Sequence, residues 1–299
     1  MTTSPLRLGI AGLGTVGTGV VKILQSHADL LSARCGRPLQ LVAVTAQARD
    51  KDRGIDISAY DWAESADALA IRDDIDVYVE LMGGSDGAAR SSIMAALDAG
   101  KDVVTANKAL LALHGQTLAE QAEDAGRVIR FEAGVAGGIP CVKALTEGLA
   151  GNEITRVLGV MNGTCNYILT RMQDAGLSYD EVFREASDLG YLEADPTLDT
   201  GGIDAGHKLA LLAAIAFGAK VDFDAVRLEG IERITIEDID RAADMGFRIK
   251  LLGVARMSGR GLEQRMTPCQ VPDSSPHGQL EGATNMEDIH GDATGQIVL

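Results

Sequence analysis

From Glu193 to Lys208 the chain places four carboxylates, Glu193, Asp195, Asp199 and Asp204, and one lysine directly before the very apolar run from Leu209 to Phe217. Charges crowded against a core-forming segment are either paired or functional, because an unpaired buried charge is costly. Asp204 precedes Lys208 by four residues, so on one helix both face the same way. An aspartate beside a lysine stabilises the ammonium, which suits it to donate a proton and to steady a developing negative charge. The stretch therefore reads as a catalytic floor. His207, about 100° around the same helix from Lys208, reads as structural. Asp195, before Pro196, reads as a turn residue. Cys165, with no histidine partner evident, does not read as a nucleophile.

A second constellation opens the chain. Leu6 to Ala11 reads as a buried strand, Gly12-Leu13-Gly14-Thr15-Val16-Gly17 as a turn, and Val16 to Leu31 as a helix. This is G-x-G-x-x-G in the strand–turn–helix context that a dinucleotide requires. The first glycine permits the turn, the second lets a diphosphate approach the backbone, and the third allows close helix–strand packing. The helix N-terminus favours the negative charge. The turn is thus expected to deliver a nicotinamide cofactor. The next strand, Leu39 to Thr45, ends without the acidic residue that would bind ribose hydroxyls, and Arg49, Lys51 and Arg53 follow. That slightly favours NADP over NAD. Lys108 stands at a strand tip, where open α/β sheets bind ligands, and a lysine opening a helix is electrostatically disfavoured unless it has a task. Glu132, followed by bent, Gly-rich backbone, could offer oxygens to a hard cation.

The elements that must position these residues alternate. Ile75 to Met82, Val103 to Thr105 and Arg127 to Glu132 read as strands, with helices from Ala88 to Ala99 and from Ala109 to Ala125. Alternation of this kind predicts a doubly wound parallel sheet. The texture changes at Ala133 to Pro140, and the domain boundary is placed there: 1–137 for the nucleotide, 138–299 for substrate and dimerisation. Beyond it, a helix is expected from Pro140 to about Leu149, a strand from Arg156 to Met161, a helix from near Cys165, capping boxes at Ser178 and Thr235, and a strand from Ile249 to Ala255. Gly259 to Leu299 reads as short strands with turns. Overall the chain reads as α/β, a Rossmann sheet plus an α+β domain with a mixed sheet.

At 299 residues and 46% hydrophobic, the chain can bury a large core or two medium ones. A formal charge of −16 argues against general binding to nucleic acid or to anionic membranes. Cys35, Cys141, Cys165 and Cys269 form no C-x-x-C pair and read as reduced thiols. No signal peptide and no transmembrane run is read, so a cytoplasmic protein is expected.

Six stretches together resemble the homoserine dehydrogenase family: Gly12 to Gly17, Thr105 to Lys108, Glu132 to Pro140, Asn162 to Tyr167, Gly190 to Pro196 and Asp204 to Leu209. The resemblance runs in order from residue 6 to about 255. It implies a homodimer that reversibly reduces L-aspartate 4-semialdehyde to L-homoserine with NAD(P)H, a step toward threonine, methionine and isoleucine. It implies Lys208 as proton donor and Asp204 as a substrate contact. Glu193 and Asp199 are the acidic candidates for the substrate ammonium, and the resemblance places Lys108 beside both nicotinamide and substrate. Gly12, Leu13, Gly14, Thr15, Val16, Gly17, Thr105, Gly190 and Glu193 are expected around the cofactor. A sodium ion would be held by the Glu132 side chain and the carbonyls of Val135, Gly137 and Ile139.

The chain departs from the family pattern in places. Gly201 stands where the family often has a second carboxylate after Asp199. Thr267 to His290 matches poorly. The sequence ends at Leu299, within a strand that in the family leads to a Gly-Pro-Gly-Ala-Gly segment, and no ACT domain is read. A C-terminally incomplete member is therefore expected. The competing readings are another two-domain Rossmann oxidoreductase acting on a small aldehyde or sugar, and a truncated, catalytically impaired dimer.

Overall fold

A computed structural model describes residues 4–192 and 195–299. The chain divides into two compact units, Met1–Gly134 and Val135–Leu299.

The first unit is built on six strands: β1 (Leu6–Ala11), β2 (Leu39–Thr45), β3 (Asp61–Trp62), β4 (Val77–Glu80), β5 (Asp102–Thr105) and β6 (Ile129–Arg130). All pair in parallel, in the order β3-β2-β1-β4-β5-β6. Strands covered by helices on both faces are apolar throughout rather than alternating, and Ile10, Ala11, Ala43 and Val103 have no exposed surface. The order reverses between β1 and β4, the place where open α/β sheets bind ligands at their carboxyl ends.

Three features of this unit differ from the sequence expectation. The first helix breaks at His27 into Thr15–Ser26 and Ala28–Cys35. There the Ser26 hydroxyl bonds back to the Lys22 carbonyl at 2.7 Å and also meets His27 Nδ1, so side chains compete with the helical ladder. The short β3, and the helix Ala66–Ala70 capped by Ser65, are too brief to leave a periodic signal. β6 keeps two residues of the expected strand, because Glu132 already opens a helical turn, Glu132–Val135.

The second unit carries a mixed sheet of β7 (Ile154–Val160), β8 (Arg227–Leu228), β9 (Phe247–Ser258), β10 (Gly261–Pro272), β11 (Met286–Gly291) and β12 (Gly295–Val298). The order is β12-β11-β7-β9-β10-β8, antiparallel except for β10 with β8. β9, which contains the expected strand Ile249 to Ala255, and β10, where short strands were expected, form a long hairpin of 12 residues each. The polar, Gly-rich texture beyond Gly259 is what suggested short strands. β8 pairs β10 only at Arg265 and Met266, so Pro268 lies along a nearly open edge, where a missing N–H costs little. The helix after Pro140 also differs: Cys141–Lys143 continues as a π-helical turn, Ala144–Gly148.

The apolar helix Ile203–Phe217 packs on β7, β9 and β10. Beneath it one cross-strand row reads Glu287–Gly159–Gly253–Met266. A Cβ at Gly159 would sit 2.6 Å from the Met286 carbonyl oxygen. One at Gly253 would sit 2.7 Å from Met266 Cε and 3.1 Å from Met161 Sδ. The opposite face buries Val160, Leu252, Val254, Val271 and Leu280 in one cluster.

Candidate active site

In the first unit the glycine turn is shaped by contacts that exclude side chains. Gly12 has φ +100°, and a Cβ there would lie 2.4 Å from the Leu81 carbonyl oxygen. A Cβ on Gly17 would lie 1.9 Å from the Gly12 carbonyl oxygen. Gly14 is the opposite case: its Cβ direction is open, with nothing within 4 Å. Gly14 is also the N-cap of Thr15–Ser26, supplies no side-chain cap, and no acidic residue stands in that helix's first turn. Open backbone at an uncapped helix start fits a diphosphate. Val16 lines a cleft of about 200 Å³ with Leu81, Met82, Gly83, Ala106 and Asn107, which brings the glycine turn and the segment after β5 together.

Glu80, at the end of β4, was not singled out from the sequence. It is fully buried, and it accepts from Met82 N at 2.7 Å, Gly83 N at 3.3 Å and the Thr105 hydroxyl at 2.6 Å. Thr105 Oγ1 in turn accepts from Asn107 N at 3.0 Å, and Asn107 Nδ2 donates to the Gly84 carbonyl at 2.7 Å. Asn107 Oδ1 accepts from Leu110 N at 3.2 Å and caps the helix Lys108–Asp124, whose first residue, Lys108, is half-buried. One carboxylate thus ties the loops after β4 and β5. The only sequence signal was an acid closing an otherwise apolar strand. Glu80→Ala orphans two backbone N–H groups and a hydroxyl, so a loss of about 2–4 kcal/mol is expected by urea titration. Glu80→Gln, which keeps one acceptor, should lose less.

In the second unit Lys208 Nζ lies 3.0 Å from Asp204 Oδ2 and donates to the Met161 carbonyl at 2.8 Å. Their side chains are 16% and 8% exposed, so this pair is screened far less than a surface pair. Asn162 organises what surrounds it. Its Nδ2 donates to Asp199 Oδ1 at 2.9 Å, and its Oδ1 accepts from Cys165 N at 2.8 Å, capping the helix Gly163–Ala175. Asp199 is buried within the short helix Pro196–Thr200. Cys165 Sγ donates to the Asp199 carbonyl at 3.2 Å. Burial, reinforced by the Asp199 charge, pushes the Cys165 thiol well above its usual range, so it stays protonated.

Other residues fall where their chemistry suggests. Asp195 accepts from Thr197 Oγ1 at 2.6 Å and Thr197 N at 3.1 Å, which holds its carboxyl below the usual range and caps the short helix. The His207 ring lies 4.2 Å from Phe223. Gly190, φ +76°, follows the helix Tyr179–Asp188, and Tyr191 stacks on Tyr167 at 4.7 Å while its carbonyl accepts from Thr164 Oγ1. Glu193 lies outside the described residues.

Arg53, one of the three cations after β2, is spent on backbone. Its guanidinium donates to the carbonyls of Leu13, Ala48, Arg49 and Lys51. Around Glu132, Val135 is buried, Gly137 exposed and Ile139 half-buried, and the Ile139 carbonyl already accepts from Cys141 N at 2.9 Å. One carboxylate with three carbonyls is an all-oxygen set, which suits a hard cation. Among the described residues no group of three or more His, Cys, Asp or Glu could hold a metal ion.

A parallel sheet in this strand order, with the glycine turn at its switch point, defines a Rossmann-type nicotinamide-binding oxidoreductase. The homoserine dehydrogenase NAD-binding domain matches residues 12–132, and the homoserine dehydrogenase domain matches residues 140–299. The homoserine dehydrogenase of Neisseria gonorrhoeae is 43% identical over 294 residues, covering 98% of this chain and 67% of its own. The crystal structure of a homoserine dehydrogenase from Thiobacillus denitrificans superposes with a TM-score of 0.95 at 42% identity, over 99% of this chain and 68% of that one. A putative homoserine dehydrogenase from Archaeoglobus fulgidus gives 0.86 at 32% identity, over 98% of this chain and 92% of that one. The chain belongs to the homoserine dehydrogenase family, NAD(P)-dependent oxidoreductases acting on CH–OH groups. It spans about two thirds of the Neisseria relative's length.

Proposed function

We propose that the protein interconverts L-aspartate 4-semialdehyde and L-homoserine, with Lys208 handling the proton. The observation that carries this is a lysine held between Asp204 Oδ2 and the Met161 carbonyl at the head of the apolar helix. The nicotinamide, when bound, supplies or accepts the hydride. Lys208 gives its proton to the oxygen of the reduced carbonyl, and in the reverse direction takes it from the hydroxyl. Asp204 pairs with the ammonium and orients it, and contacts substrate. Asp199, fixed by Asn162, and Glu193 are the acidic partners for the substrate ammonium. Lys108 serves substrate and cofactor from the start of its helix. Gly12, Leu13, Gly14, Thr15, Val16, Gly17 and Thr105 form the dinucleotide cradle, joined by Gly190 and Glu193.

The sodium, dimer and pathway assignments rest on the family resemblance, the cofactor preference on the residues that end and follow β2. NADP is slightly favoured over NAD: β2 ends without an acid, and Arg49 and Lys51 remain for a ribose phosphate once Arg53 is discounted. Glu132 with the carbonyls of Val135, Gly137 and Ile139 is assigned to sodium on its oxygen chemistry. The protein is a cytoplasmic homodimer serving threonine, methionine and isoleucine synthesis. Among the described residues no helix is long and apolar enough to cross a membrane.

The test is homoserine-dependent reduction of NAD and NADP by the purified chain, in sodium and in potassium buffer, with oligomeric state read by light scattering. Reduction faster with NADP, favoured by sodium, from a dimer is expected. Folded protein that ignores homoserine but oxidises a sugar would overturn the assignment.

A further inference from the structure

Lys250 on β9 is 2% exposed, and its Nζ donates to Asn166 Oδ1 at 2.8 Å and to the Leu280 carbonyl. Both acceptors are neutral. A lysine buried on neutral acceptors gives up solvation with little charge attraction in return. What its bonds secure is geometry.

Asn166, 1% exposed, extends the grip. Its Nδ2 donates to the Gly282 carbonyl at 2.9 Å, and to those of Leu280 at 3.4 Å and Thr284 at 3.5 Å. Each of these bonds to the segment from Leu280 to Thr284 ends on main-chain oxygen. The path of the segment is therefore held whatever side chains it carries, which fits the poor match of Thr267 to His290 to the family pattern. Burial, with the Arg248 charge adding to it, lowers the Lys250 ammonium to about 8. The uncharged amine keeps two N–H groups, enough for both acceptors, so the grip serves in either form.

The segment lies directly on the start of the helix Gly163–Ala175. A Cβ at Gly163 would sit 2.5 Å from the Ala283 carbonyl oxygen and 3.4 Å from Ala283 Cα. Gly163 follows Asn162, which caps this helix through Cys165 N and donates to Asp199 Oδ1. Asn166 stands one turn further on, and its N–H returns to the Asn162 carbonyl at 3.2 Å. Asn162 thus joins Asp199 to the turn that Lys250 and Asn166 tie down.

We propose that Lys250 and Asn166 are positioning residues for the reaction: they clamp the segment from Leu280 to Thr284 onto the first turn of the helix Gly163–Ala175, and so hold Asn162 where it orients Asp199 for the substrate ammonium. The inference rests on the reading of Asp199 as an ammonium partner.

Lys250→Met removes both donations at similar side-chain length. On the full chain, scored per folded molecule, KM for homoserine should rise about tenfold or more. KM for the cofactor should hold, because the glycine turn lies in the other unit. Parent KM for homoserine in folded Lys250→Met overturns the inference. Asp199→Ala separates that failure from failure of the reading beneath it. A raised KM in Asp199→Ala with parent KM in Lys250→Met sinks the clamp alone. Parent KM in Asp199→Ala removes Asp199 from substrate binding, and this inference with it.

The second measurement needs no activity. Cys165, in the clamped turn, and Cys141, outside it, both lack exposed surface in this unit. In Lys250→Met a thiol reagent should label Cys165 about tenfold faster, through local opening, and Cys141 at the parent rate. No change at Cys165, or equal acceleration of both thiols as global destabilisation gives, overturns the clamp. Where Lys250→Met does not fold, Asn166→Ser, which leaves Lys250 the Leu280 carbonyl, is decided by the same two readouts.

Discussion

Lys208→Ala is expected to lower kcat by about 10²–10⁴-fold, the usual contribution of a positioned proton donor. The change does more than delete a proton source. It leaves Asp204 as a charge 7% exposed without its cation, and it frees the Met161 carbonyl. Breaking a buried pair from one side costs about 3–5 kcal/mol at full burial, and somewhat less here because the lysine retains 16% exposure. Activity must therefore be scored per folded molecule, with the unfolding midpoint measured alongside. Lys208→Arg separates the two effects. It keeps a cation for Asp204, so most stability should return. A guanidinium scarcely gives up its proton, so kcat should stay low. An active, folded Lys208→Ala would remove Lys208 from the chemistry.

Gly17→Ala is expected to abolish cofactor binding and to destabilise the first unit by about 3 kcal/mol or more, at or above the upper end of ordinary overpacking. The added Cβ would sit 1.9 Å from the Gly12 carbonyl oxygen, which is backbone rather than the yielding end of a side chain. Gly12 is itself fixed, with φ +100° and its N–H donating to the Thr45 carbonyl at 2.9 Å. Gly14→Ala is the informative contrast. Its Cβ meets nothing within 4 Å, so the fold should tolerate it while the space for a diphosphate is filled. Loss of NADPH binding with an unchanged unfolding midpoint is expected for Gly14→Ala, by fluorescence titration and calorimetry. Wild-type stability and affinity in Gly17→Ala would refute this account of the turn.

The two changes probe parts of the molecule that were unequally legible in the sequence. The glycine turn was readable because its requirements are local: φ, Cβ clearance and an uncapped helix start all follow from consecutive residues. The Asp204–Lys208 pair was readable because helical periodicity converts a spacing of four into proximity. Glu80 was not readable. It closes a strand, and what makes it consequential is a partner on another segment, the Thr105 hydroxyl, together with the amides of Met82 and Gly83 that its own loop folds back. Sequence shows an acid in an apolar run but not what is paired across from it. The long β9–β10 hairpin was misread for the opposite reason. The polar, Gly-rich texture beyond Gly259 is a local signal, and only the sheet order reveals that this strand pairs along its whole length with β9 and is almost unpartnered on its other side. Arg53 looked like a phosphate ligand by charge alone, whereas its hydrogen bonds show a clasp for its own loop.

The row Glu287–Gly159–Gly253–Met266 has two gaps of unequal stiffness. At Gly253 the nearest atoms are the tips of Met161 and Met266, which can swing aside. At Gly159 the nearest is main-chain oxygen of β11, which can yield only if the strand itself moves. A methyl at 253 would thus be absorbed as rotamer change, whereas one at 159 would be passed on as displacement of the strand that holds Glu287. The floor beneath the lysine therefore has a soft joint and a hard one. A substitution at the soft joint is taken up by side chains, whereas one at the hard joint changes the spacing between the helix Ile203–Phe217 and β11.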